Sequence, residues 1–194
     1  LFGRKGPIVS DVRWFWRGEA EWAAIVERLK LTPCPHCRTV GTLIRHGTLT
    51  SFDDSSTRRT IRARRIFCSN RHRRGGCGRT ISVWIADKIR RLSLTTRTVW
   101  AFLQRAIAGS IAAAIRDIKS SRCDRTFRRV WARFRRNQTA IRTALLSRGP
   151  PPNGPAASSC RTAAAQVLAH LQSTFPDADC PIAAFQQATR AFFV

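Results

Sequence analysis

The chain has 194 residues, 43% of them apolar, enough to build the core of one medium domain or two small ones. Its 35 Lys and Arg stand against 11 Asp and Glu, a formal charge of +24 that attracts polyanions and repels itself without one, so a nucleic acid is the expected partner. No apolar run approaches the roughly 20 residues of a membrane span, and seven cysteines without a signal peptide argue against a secreted disulfide framework and for a reduced cytoplasm.

Residues 1–10 read as a basic, glycine-containing arm. Over 11–31, Trp22, Ile25, Val26 and Leu29 recur at helical spacing, and Glu19 and Glu21 fall where the first turn of a helix favours acids. Residues 1–32 are therefore an arm and an amphipathic helix, with Trp14, Trp16 and Trp22 expected to pack against the cysteine-bearing segment after residue 32.

Residues 33–87 carry the pattern around which the chain is organised, C-x2-C-x30-C-x8-C, formed by Cys34, Cys37, Cys68 and Cys77. Two cysteine pairs joined across a hairpin suit a structural zinc ion, which takes four ligands tetrahedrally. The second gap is longer than usual and contains His72, so a Cys68–His72 ligand pair, or no metal at all, remain alternatives. Cys34-Pro35-His36-Cys37 also matches a redox motif, but that chemistry wants a helix after the first cysteine, and residues 39–49 read as a strand. Further strands are expected at 60–68 and 81–85, with a polar turn over 50–56, giving a three-stranded zinc ribbon. Nine arginines between Arg58 and Arg79 must face solvent or a polyanion; Arg62, Arg64 and Arg65 are the expected phosphate contacts.

From Leu94 the period becomes helical, and 88–147 reads as a helix-turn-helix. A helix over 95–108 ends at Gly109-Ser110, a short one spans 111–118, and Asp124 is placed to cap a third. On that third helix Phe127, Val130, Trp131, Phe134, Gln138, Ile141 and Leu145 share a stripe about 100° wide, opposite Arg125, Arg128, Arg129, Arg135 and Arg136. Between Arg125 and Ala144 there is no acid. The last helix of such a unit enters the major groove, which assigns base-edge contacts to Arg125 and Arg129 and phosphate contacts to Arg128 and Arg136.

Residues 148–160 are a Pro/Gly linker. In 161–194, Ala164, Val167, Leu168 and Leu171, then Phe185, Ala188 and Phe192, form two apolar helical stripes. This tail either folds back on the core, the preferred reading, or docks on a partner such as a second copy or a transposase. Cys123, Cys160 and Cys180 read as small apolar residues. Asp177 and Asp179 read as a turn and helix cap, His170 as a surface or packing residue. A two-metal nuclease needs several converging acids, and neither these two nor any triad, phosphate loop or zinc-protease motif supplies a catalytic site. No enzyme is expected.

The Cys-Pro-x-Cys ribbon, the basic strand entering the second pair, and Arg125-Thr126-Phe127-Arg128-Arg129-Val130-Trp131-Ala132-Arg133-Phe134 resemble the DNA-binding region of bacterial insertion-sequence transposases and related transposon-associated proteins, over about 33–136. The resemblance implies that ribbon and helix-turn-helix bind the ends of an element, in a bacterial, nucleoid-associated setting. In that family a separate RNase H-like domain cuts the strands, and nothing after Arg136 resembles it. The chain is thus expected to be a zinc-containing, duplex-DNA-binding protein, or part of a transposase lacking its catalytic domain, with an α+β, mostly α fold. The alternative is a non-specific RNA or single-strand binder in which Trp14, Trp16, Trp84 and Trp100 stack on bases.

Overall fold

The computed structural model describes residues 14–54, 56–71, 75–118, 120–152 and 160–194. The basic arm, His72, most of the proline linker and the side chain of Cys160 lie outside the described residues. The described chain is α+β, with a four-stranded mixed sheet and six helices. It divides into two compact units, Leu1–Thr50 with Ile61–Ile85, and Ser51–Thr60 with Ala86–Val194. No described helix is long and apolar enough to cross a membrane.

Strand β1 (Trp14–Trp16) leads into helix α1 (Glu19–Arg28), followed by β2 (Leu43–Asp53), β3 (Ser56–Cys68) and β4 (Thr80–Ile85), all in the first unit save the β2–β3 tip, Ser51–Thr60. The sheet order is β1-β4-β3-β2, with β1 parallel and β3 antiparallel to β4. The short β1 is an addition to the three strands expected from the sequence. The hairpin also differs: β2 runs to Asp53 and β3 starts at Ser56, so the turn is tighter than the polar 50–56 stretch suggests. Helix α1 starts where its acids predict, and the Glu21 carboxylate accepts the Arg17 amide at 2.8 Å. Trp16, Trp22, Leu29, Leu43, Ile66, Ile81 and Val83 form one buried cluster with Cys34 and Cys68. The tryptophans of this cluster are core residues.

The second unit holds the hairpin tip, 51–60, and five helices: α2 (Thr96–Ala108), α3 (Ile111–Asp117), α4 (Asp124–Leu146), α5 (Cys160–Thr174) and α6 (Pro181–Thr189). Thr95 caps α2 and Ser110 caps α3 through their hydroxyls. Cys123, whose sulfur meets the Thr126 hydroxyl at 3.6 Å but caps no backbone amide, stands at the N-cap of α4, so Asp124 is its first helical residue and acts on the helix dipole. On α4, Phe127, Val130, Phe134, Ile141 and Leu145 are buried, while Trp131 and Gln138 are half-buried. The tail folds back. Phe102 meets Phe127 at 5.1 Å, and Phe193 stacks on Phe134 at 5.6 Å. The buried Gln186 amide donates to the carbonyls of Ala86 (2.7 Å) and Lys88 (3.2 Å) and accepts from the Phe193 amide at 3.2 Å, so this buried side chain of the tail is satisfied within the unit. Asp177 and Asp179 lie in the α5–α6 turn, but Cys180, not an aspartate, is the N-cap of α6. His170 is buried, with Nε2 3.2 Å from the Gly149 carbonyl.

Candidate metal centre

Two backbone turns present the four cysteines. In the first, the Cys34 amide donates to the Thr39 carbonyl (3.0 Å) and the Arg38 amide to the Cys34 carbonyl (2.8 Å), with Arg38 in the left-handed region at φ 64°. The second repeats this: the Cys68 amide donates to Arg79 (2.9 Å), the Gly78 amide to Cys68 (2.9 Å), and Gly78 has φ 70°. Each turn also aims an amide at its leading sulfur, His36 N–H at Cys34 Sγ (3.4 Å) and Cys77 N–H at Cys68 Sγ (3.3 Å). The second pair is therefore a knuckle of the same kind with extra residues inserted between its ligands, which explains nine positions from Cys68 to Cys77 in place of three from Cys34 to Cys37.

The four sulfurs lie within 4.8 Å of one another and could hold a metal ion. Cys34 to Cys77 is 3.8 Å and Cys37 to Cys68 is 3.6 Å. Tetrahedral zinc with bonds of about 2.3 Å sets its sulfurs about 3.8 Å apart, which these two separations match. A disulfide would need about 2.05 Å, and all four are free thiols. Thr42 Oγ1 lies 3.2 Å from Cys68 Sγ, a further polar contact to a sulfur buried in the core. Burial pushes the Cys34 thiol up to about 12 and raises that of Cys77, whereas the Thr39 hydroxyl and amide bring Cys37 down to about 6. Thiolates this close repel one another, and a bound cation would offset that repulsion. Cys34 does not open a helix, which removes the redox geometry.

Gly76 makes the second knuckle possible. A Cβ there would fall 2.2 Å from the Ser69 carbonyl oxygen and 2.9 Å from Cys68 Sγ, whereas one at Gly75 meets nothing within 4 Å. Gly76→Ala is expected to cost on the order of 1–3 kcal/mol at the site, about 10- to 100-fold in metal affinity read by chelator competition, with Gly75→Ala unchanged.

The arginines expected to meet nucleic acid separate into two groups. Arg125, Arg128, Arg129, Arg135 and Arg136 are all exposed on α4, and among the described residues no carboxylate forms an ion pair with them. The Arg133 pKa is lowered by burial and then by the charges of Arg129, Arg136 and Arg91, so cations crowd this helix. On β3 the outcome differs. Arg62 is 7% exposed, and Arg64 lies 5.0 Å from the rings of both Trp16 and Trp22 and pairs with Glu19. Their side chains share the face of Ile66 and Cys68; Arg64 is a cation–π element of the core edge, not a free phosphate ligand. Arg65, on the other face, is half-buried. No protein-family model, characterised protein or solved structure matches the chain.

Proposed function

We propose that the protein is a zinc-containing, duplex-DNA-binding protein of transposon type, in which α2, α3 and α4 act as a helix-turn-helix and the four cysteines hold one structural zinc ion. Four thiolate donors favour zinc among abundant cations and fill a tetrahedral shell, leaving no position for a reacting water. The metal's part is to fold the first unit. The observation that carries the DNA reading is the sorting of α4, with an apolar stripe inward and an outer face of five exposed arginines that have no acidic partner among the described residues. Such a face is stabilised by a polyanion. Burial of Trp16 takes away one of the four tryptophans on which a single-strand binder would stack bases.

Salt titration against a selected duplex, a scrambled duplex and an RNA of equal length tests this. Arg125→Ala and Arg129→Ala are expected to cost about 1–3 kcal/mol on the selected site and little on the scrambled one. Arg128→Ala and Arg136→Ala are expected to weaken both and to reduce the slope of log affinity against log salt by about 0.9 each. Equal losses on all three ligands would make the protein a non-specific binder.

A further inference from the structure

The hairpin tip, Ser51–Thr60, sits at the N-terminal end of α4 within the second unit. Arg122, two residues ahead of the helix, donates from Nη2 to the Asp53 carbonyl at 3.0 Å, and an open cleft is lined from the tip by Phe52 and Thr57 and from the α3–α4 turn by Ser121 and Arg122. By composition the tip is electrically balanced, with Asp53 and Asp54 against Arg58 and Arg59. The fold unbalances it. Asp53 has a fully buried side chain and meets Lys88 Nζ and the Thr60 hydroxyl, each at 2.8 Å, while Asp54 Oδ1 accepts the Thr95 amide at 2.7 Å. Both acids are thus engaged inside the unit, whereas Arg58 and Arg59 are exposed. Two contacts brace the tip's described residues: the Arg58 amide donates to Ser56 Oγ at 3.0 Å, and the Arg59 guanidinium lies 5.6 Å from the ring of Phe52. Arg122 Nε, buried at the cleft, has no hydrogen-bond partner among the described residues.

From this arrangement we infer that the β2–β3 hairpin tip is a second DNA contact, in which Arg58 and Arg59 engage backbone phosphates of the duplex next to the groove occupied by the start of α4. The inference rests on α4 being the groove-reading helix. Its chemistry is that of positioning: phosphate contacts fix register without reading sequence. Because the tip is pinned to the turn that precedes α4, its two cations are held in fixed relation to Arg125, Arg128 and Arg129. The β3 contribution thereby moves from Arg62 and Arg64 to the two arginines that the fold leaves free.

The test uses the full chain and a defined duplex, comparing Arg58→Ala/Arg59→Ala with Arg128→Ala/Arg136→Ala, and adding Arg58→Lys/Arg59→Lys to retain charge. The expected result is a fall of about 0.9–1.8 in salt slope for the hairpin pair, unchanged discrimination between selected and scrambled duplexes, loss of hydroxyl-radical protection at one edge of the footprint, and recovery of the slope in the lysine variant. If the hairpin pair leaves slope and footprint intact while the α4 pair alters both, the tip is no DNA contact and the reading of α4 stands. If neither pair changes the slope, both readings fall together.

Discussion

Cys68→Ser is expected to leave the first unit without metal and without a stable core. Cys68 is wholly buried, and its sulfur meets Cys37, Thr42 and the Cys77 amide while belonging to the same cluster as Trp16 and Trp22. Structural zinc sites contribute apparent free energies of about 10–16 kcal/mol, as large as the whole stability of a typical domain, about 5–15 kcal/mol. Purified wild type should therefore hold one zinc per chain, and a strong chelator should shift tryptophan emission to the red as Trp16 and Trp22 meet water. Because the ligands must lose protons to bind, affinity should fall as pH is lowered. Cys123→Ser is the control, since Cys123 is exposed and outside the cluster. Chelated protein that kept a blue-shifted emission would show that the core stands without the ion.

Breaking the Lys88–Asp53 pair should be the most damaging change in the second unit. Their side chains are 8% and 0% exposed, so Lys88→Ala strands the Asp53 carboxylate, at a cost of about 3–5 kcal/mol, while Asp53→Ala leaves Lys88 the more exposed Asp87, 3.6 Å away. For a chain of this length the Lys88→Ala cost lowers Tm by roughly 6–20 °C. Replacing both, Asp53→Asn with Lys88→Met, should recover part of the loss, because the cost lies in the stranded charge rather than in the missing bond. The Arg97–Asp179 pair, with side chains 71% and 89% exposed, should matter by less than about 1 kcal/mol when broken. Calorimetry of these variants distinguishes the outcomes, and equal effects at the two pairs would contradict the argument from burial.

What could be read in advance was periodic or covalent in origin. The cysteine spacing named all four sulfurs of the cluster, and the α4 stripe separated its buried residues from its arginines, because both patterns follow from local geometry alone. The hairpin tip was not legible in the same way. Asp53 and Asp54 have the composition of a turn, yet the partners that draw them inward, Lys88 and the Thr95 amide, lie 35 and 41 positions along the chain. Strand β1 is only Trp14–Trp16, too short for alternation to register. Arg62 and Arg64 are a different matter, since a signal existed: they alternate in step with Ile66 and Cys68, which places them on the inward face. Charge suggested solvent where the pleat pointed the other way.

The division of the chain into units has a consequence for the order in which the protein is made. The second unit is discontinuous, taking Ser51–Thr60 from within the span that supplies the first. During synthesis all four clustered cysteines have emerged by Cys77, before any of α2, so the first unit, with the zinc ion proposed for it, can close while the ribosome is still translating the helices. Asp53 and Asp54 must then wait for Lys88 and Thr95. A cut at the Ile85–Ala86 boundary would give two fragments with complementary defects: one ends before the lysine its aspartate needs, and the other has an α2 cap stripped of its carboxylate. Mixed together, such fragments should recover stability by association, as the halves of an interleaved chain do.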